Sequence, residues 1–158
     1  MIEEPAAGHV RDGRHRLPLR VYYEDTDFSG IVYHASYLRF FERGRTELLR
    51  AFGFGQRAAH ERGGEAIAFV VRRMAIDFLR PARMDDSLIV ETAVSSIRGA
   101  SVALAQTIWR GREALVLAEV EVAAVAGGRA RRLPSVLRDA FKQMVEAEPT
   151  PQLGEDGP

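Results

Sequence analysis

Cysteine is absent from the 158 residues, which excludes disulfides, thiolate metal sites and cysteine nucleophiles and fits a reducing compartment. Net charge is absent too: 22 basic residues balance 22 acidic ones, so no long-range field draws the chain toward nucleic acid or anionic lipid. No apolar run approaches the roughly 20 residues that a membrane-spanning helix requires. The polar opening MIEEPAAGHVRDGR lacks the apolar stretch of a signal peptide. The expectation is a soluble, cytoplasmic protein with no nucleic-acid partner. Lysine is nearly missing, Lys142 being the only one among the 22 basic residues, a bias that says nothing about chemistry. Familiar hydrolytic signatures are missing as well. There is no G-x-S-x-G elbow and no H-E-x-x-H, and the histidines stand scattered at His9, His15, His34 and His60.

What is present fits one domain, since domains commonly run to ~100 to 200 residues and 46% of the chain is hydrophobic. Residues 1–13 and 148–158 are rich in Pro, Gly and charge, with too little apolar surface to offset the entropy of ordering them. They are expected to be disordered tails flanking a domain over 14–147. From Arg16 the pattern alternates, with Leu17, Leu19, Val21 and Tyr23 on one face, which predicts a strand near a sheet edge because of Pro18. A polar loop, Glu24 to Gly30, follows. The period then changes: Tyr37, Phe41, Gly44, Leu48 and Phe52 recur at helical spacing, predicting an amphipathic helix over His34 to Phe52. Gly44 on its apolar stripe predicts close packing against a wrapped sheet.

Glycines 53, 55, 63 and 64 punctuate a connection with at most a short helical piece. Four β-like runs come next: Ala66 to Arg80, Ser87 to Ile97, Ser101 to Arg110 and Glu113 to Ala126. Short turns at Arg98-Gly99 and Gly111-Arg112 make them an antiparallel meander. Ser135 is placed to cap a last helix with the stripe Val136, Leu137, Ala140, Phe141 and Met144. The class is α+β, a long central helix packed on a bent, antiparallel, five-stranded sheet.

The chemistry-bearing segment is the acidic loop. Asp25, Asp27, Ser29, Gly30 and Val32 match several positions of a calcium-binding loop, but Ser36 stands where its bidentate glutamate belongs and a strand precedes it. No metal is therefore expected. From the residues alone, Glu24, Asp25 and Asp27 fit a solvated turn whose carboxylates bond local amides. They also lie just ahead of a helix N-terminus, whose free N–H groups and dipole favour negative charge and can hold an oxyanion. A carboxylate that lost hydration against the helix would gain strength as nucleophile or base.

The run Tyr23-Glu24-Asp25-Thr26-Asp27-Phe28-Ser29-Gly30-Ile31-Val32-Tyr33-His34-Ala35-Ser36-Tyr37, continued through Phe41 to Glu47, resembles the hotdog-fold thioesterases. Within them it is similar to the bacterial Tol-Pal-associated acyl-CoA thioesterases, relatives of 4-hydroxybenzoyl-CoA thioesterase. Phe69 to Met74 and Pro81 to Asp86 match as well, and the likeness spans roughly Leu19 to Lys142. It implies hydrolysis of acyl-CoA thioesters, with Asp27 catalytic as nucleophile or general base. It also implies that the His34 N–H polarises the thioester carbonyl, with the His34 side chain touching substrate or water. Gly30, Val32 and Tyr33 would shape substrate binding, and Arg72 would meet coenzyme A phosphates, with Arg73, Arg129, Arg131 and Arg132 as further candidates.

Glu42 and Glu47 are weaker alternatives for the carboxylate, since nearby arginines explain them as ion pairs. No cofactor is implied beyond the coenzyme A of the substrate. Dimers or tetramers are implied, with a site shared between subunits and lined from the Ala58 to Ala68 region. Acyl-carrier protein is a further partner, and contact with the inner membrane would run through partners. Two other readings stay open: a non-catalytic module binding acyl-carrier protein or envelope and lipid-synthesis partners, and an acyl-thioester hydratase or dehydratase.

Overall fold

The computed structural model describes residues 1–55 and 66–147; the Gly63-Gly64 pair, most of the Ala58 to Ala68 region and the expected tail 148–158 lie outside the described residues. The elements are β1 (His9–Arg11), β2 (Arg14–Arg20), a 3-10 turn (Tyr23–Asp25), α1 (Ser36–Ala51), β3 (Ala68–Phe78), β4 (Ser87–Ile97), β5 (Ser101–Arg110), β6 (Glu113–Ala126), β7 (Arg129–Ala130) and α2 (Ser135–Glu146). All strands join one antiparallel sheet in the order β1-β2-β4-β5-β6-β3, with β7 also pairing β6. The α+β class with a long helix on an antiparallel sheet is as expected.

The sheet has seven strands, not five, because two short hairpins escape a reading based on hydrophobic alternation. Asp12 and Gly13 take left-handed φ values of 52° and 71°, folding His9–Arg11 back onto Arg14–Arg16. Asp-Gly is a favoured pair in such tight turns, so the first strand begins inside the segment read as tail. Gly127 and Gly128 do the same at 58° and 73° and create β7. Three smaller corrections concern ends. The chain leaves β2 at Arg20, so Tyr23 sits exposed in the 3-10 turn rather than on a strand face. Helix α1 begins at Ser36 rather than His34 and ends at Ala51. Pro134 occupies the N-cap of α2, so Ser135 makes no cap bond. Pro18 is tolerated because β1 pairs only with Arg14–Arg16, leaving that side of β2 open beyond them.

The core forms where α1 lies in the curl of the sheet. Tyr37, Phe40, Phe41, Gly44 and Leu48 face inward onto Leu88, Val90, Leu104, Ile108, Val116 and Val120, each large side chain contributing about 1.5 to 3 kcal/mol by burial. Register shifts at Val71/Arg73, Val94/Ser96 and Ile108/Trp109 add the local twist that bends strands around a helix. A β-carbon on Gly44 would lie 2.7 Å from Val90 Cγ1 and 3.1 Å from Gln106 Nε2, so the close approach expected there is real. Buried Gln106 stitches the layers: its Nε2 donates to the Phe41 carbonyl and Thr92 Oγ1, both at 3.0 Å, and its Oε1 accepts from Arg45 Nη1 at 3.0 Å. Helix α2 closes the far end through Leu137, Phe141 and Met144, Phe141 meeting Phe52 edge-on. No helix among the described residues is long and apolar enough to cross a membrane.

Two stability outcomes follow. Gly44→Ala forces Val90 and Gln106 aside and lowers the unfolding free energy by about 1 to 3 kcal/mol, read from urea denaturation. His15 is fully buried, its Nε2–H donating to the Ala7 carbonyl at 2.9 Å while Nδ1 has no partner. Burial pushes its pKa down, the Ala7 hydrogen bond and then Glu47 opposing only in part. The unfolded imidazole, near 6.5, then binds a proton more readily than the folded one, so the contribution is complete above about pH 6.5 and is lost as pH falls below it. Urea midpoints are expected to drop between pH 7 and pH 5, and to drop less in His15→Gln.

Candidate active site

Beyond β2 the chain makes a closed loop before entering α1, and its two aspartates take opposite roles. Asp25 is 4% exposed; its Oδ2 accepts the Tyr22 N–H at 2.8 Å and its carbonyl accepts the Tyr33 N–H at 2.9 Å. It ties the two ends of the loop together. Asp27 stays partly exposed at the loop tip. Its Oδ1 accepts both the Ser29 N–H, at 2.8 Å, and the Ser29 hydroxyl. Its backbone bonds Ile31 O at 2.9 Å and Gly30 N at 3.1 Å, a turn that needs Gly30 at φ +82°.

The Ser29 hydroxyl, then the Ser29 amide, hold the Asp27 carboxyl below the usual carboxylate range, outweighing slight dehydration, with the Ile31 amide adding to the effect. Activation by loss of hydration is thus not what the loop provides. It provides a carboxylate whose pKa hydrogen bonds hold down.

The other half of the site is the start of α1. Ala35 is its N-cap, no side chain caps it, and no acidic residue lies in its first turn. The Ser36 N–H turns back to Tyr33 O at 2.8 Å, while the His34 N–H has no hydrogen-bond partner among the described residues. An unpaired amide at the positive end of a helix suits an oxyanion. Beside it opens a hollow of about 260 Å³ lined by Val32, His34, Tyr37, Phe78, Leu79, Arg80 and Pro81. The His34 ring stands edge-on to Phe78 at 6.4 Å and tilts over Tyr33 at 4.5 Å. Tyr33 is half exposed on the outer side of His34 and is not one of the walls.

Asp27, Gly30, Val32, Tyr33 and His34 therefore share one loop, and Arg72 does not join them. Arg72 sits at the β3 register shift, paired with Glu121 at 3.5 Å, about 20 Å along the strand from Phe78 at roughly 3.3 Å per residue. Arg129 and Arg132 lie at the β6–β7 end of the sheet, away from the Val116 end that pairs with Phe78. Glu47 pairs with Arg50 at 3.2 Å. Glu42 and Arg45 line a separate cavity of about 230 Å³ between α1, β3, β5, β6 and Phe141. The wall residues that sequence reading did not single out are Phe78, Leu79 and Arg80, which read only as a strand end, and Pro81, which entered only as the start of a segment resembling the family; the β3–β6 pairing brings them to the helix start. Among the described residues no cluster of His, Asp and Glu could hold a metal ion.

Solved structures share this architecture. A probable thioesterase from Bartonella henselae superposes with a TM-score of 0.74 at 48% identity, covering 77% of this chain and 99% of its own. A 1,4-dihydroxy-2-naphthoyl-CoA thioesterase from Synechocystis reaches 0.75 at 20% identity, covering 82% and 96%, which bears on the fold alone. The molecule is a single hotdog domain. The thioesterase superfamily model matches residues 29–117, and the chain belongs to that superfamily. Curated relatives include acyl-CoA thioester hydrolase YbgC of Escherichia coli, 46% identical over 132 residues, covering 81% of this chain and 96% of that protein. Acyl-CoA thioesterase YbgC of Haemophilus influenzae is 44% identical over 135 residues, covering 84% and 98%.

The loop geometry predicts a titration. In carbon-13 spectra the Asp27 carboxyl titrates below the ordinary carboxylate range, and Ser29→Ala, which removes the leading cause, raises its midpoint toward the ordinary value.

Proposed function

We propose that the protein hydrolyses acyl-CoA thioesters, using Asp27 as nucleophile or general base and the His34 N–H at the start of α1 as the oxyanion donor. The observation that carries this reading is the pairing of an ionised carboxylate with an unpaired helix-start amide on one loop, beside a hollow with apolar walls. The acyl group enters that hollow past Val32, with Gly30 keeping the approach to Asp27 open. Water oxygen joins the acyl carbon, the carbon–sulfur bond breaks, and the sulfur departs as a thiol carrying the second proton. As base, Asp27 takes the proton from water and passes it on; as nucleophile, it forms an anhydride that water then opens. The His34 side chain, packed on Phe78, borders the reacting group. Coenzyme A is part of the substrate and no separate cofactor takes part. A thioester on acyl-carrier protein presents the same bond. The same reading puts the enzyme in the cytoplasm, reaching the inner membrane only through partners.

The active form in this proposal is a dimer, alone or within a tetramer. Among the described residues strand β3 ends the sheet with an open edge and Val70, Val71, Phe78 and Leu79 are exposed around it. A long apolar edge of this kind invites strand pairing unless it is covered. Antiparallel pairing of two β3 edges centred on Ala75, two residues toward Phe78 from the middle of the strand, sets Arg72 of one subunit opposite Phe78 of the other, and in that register Arg72 meets substrate.

The test is thiol release from a panel of acyl-CoAs. Asp27→Asn is expected to lose about 100-fold or more, with an unchanged circular dichroism spectrum. An equally fast variant rejects the mechanism, and a wild type inactive on every thioester rejects the function. Sedimentation is expected to give a dimer or tetramer, and a monomer rejects the shared site.

A further inference from the structure

Tyr37 is 3% exposed in the first turn of α1, and its ring packs on Phe40 and Phe78 at centroid distances of 6.0 and 5.8 Å. Packing of that kind asks only for phenylalanine. The hydroxyl adds a separate bond, accepting the Ala82 N–H at 2.9 Å. Ala82 is itself fully buried, and its carbonyl accepts the Val32 N–H at 2.9 Å. Ile31 then bridges Arg83, and the Met84 N–H donates to the Gly30 carbonyl at 3.1 Å. Residues 82–84 thus run as a short antiparallel partner to residues 30–32, and Tyr37 pins that partner to the helix.

The circuit closes on itself. It goes from α1 through the Tyr37 hydroxyl to Ala82, across to Val32, and back along Tyr33 and His34 into α1. The His34 amide lies within it, and the next bond outward, from the Met84 N–H to the Gly30 carbonyl, extends the hold toward Asp27, whose carbonyl accepts the Gly30 N–H.

A second anchor holds the same segment from outside. Asp86 Oδ2 accepts the Arg83 N–H at 2.8 Å and Arg110 Nη1 at 2.8 Å. Arg110 also reaches the Pro81 carbonyl at 3.3 Å and Glu113 Oε1 at 2.6 Å. Of the residues in this second anchor only Pro81 borders the hollow.

We propose that Tyr37 is a positioning residue, whose hydroxyl sets the placement of the Asp27 loop relative to the His34 amide by locking residues 82–84 against both. The proposal deepens the thioesterase reading and rests on it for its kinetic consequence. Reacting groups held by a loop lose rate steeply when the loop drifts, about 100-fold for a displacement near 1 Å.

Tyr37→Phe tests it, because it keeps the ring and removes one oxygen. Hydrogen exchange at the Val32 and Met84 amides is expected to quicken by about 10-fold or more, with amides of β4, β5 and β6 unchanged. In thiol release from the preferred acyl-CoA, kcat falls about 10- to 100-fold with KM within about two-fold. The acid limb stays in place, because Ser29 still holds Asp27. Arg110→Lys, which keeps the charge but loses the fork, shifts the same quantities less, and the double variant falls short of the combined effects because both act on one segment.

Unchanged exchange in Tyr37→Phe overturns the clamp. Faster exchange with wild-type kcat overturns the positioning role, and a raised KM at constant kcat makes Tyr37 a substrate contact instead. A wild type with no thioesterase activity rejects the functional reading, while the exchange result still decides whether the clamp exists.

Discussion

The burial of one face of α1 in the curl of the sheet is the constraint on which everything else rests. At Gly44 the helix comes so near the sheet that a single added carbon collides with Val90 and Gln106. That closeness lets Gln106 reach the Phe41 carbonyl and Thr92 together while holding Arg45, so a fully buried amide is paired rather than stranded. A helix seated this deeply has little freedom to slide or rotate. Its first turn therefore stands at a defined place above the end of β3 and the loop around Ala82.

The polar groups at that end differ in what they bond. Asp25 closes the loop, the Tyr37 hydroxyl holds Ala82, and the Ser36 N–H turns back to Tyr33. The N–H groups of His34, Ala35 and Tyr37 have no partner among the described residues, and Asp27 stays partly exposed with its pKa held down by Ser29. Two acidic residues of the same type, separated only by Thr26, differ because one is buried with backbone donors from both ends of the loop and the other sits at the tip. Burial and partners, rather than residue type, set their different surroundings.

Much of the fold was legible in the chain. The switch from alternation to helical spacing between Val21 and Tyr37 marks β2 and α1, and the later alternations mark β3 to β6 within a residue or two. The hairpins at Asp12-Gly13 and Gly127-Gly128 were not, because strands of two or three residues carry no hydrophobic period, although the Asp-Gly pair is itself a turn signal. The site was half legible. The motif from Tyr23 to Tyr37 singled out the acidic loop through its family resemblance, but the residues alone did not separate Asp25 from Asp27. Arg72 was chosen by charge, since guanidinium suits phosphate wherever it lies, and only strand pairing shows that within one subunit it lies beside Glu121 and away from the loop.

By itself, then, the sequence determined the elements, their order, and the loop where chemistry is concentrated, because periodicity and turn residues are local properties of the chain. The tertiary structure decided how the groups in that loop are buried and partnered. Long-range pairing brings Phe78 to Pro81 against the helix start, while Asp25 is buried and the His34 N–H has no partner among the described residues. Such pairing joins residues far apart in the chain, and no spacing within a single segment reports it.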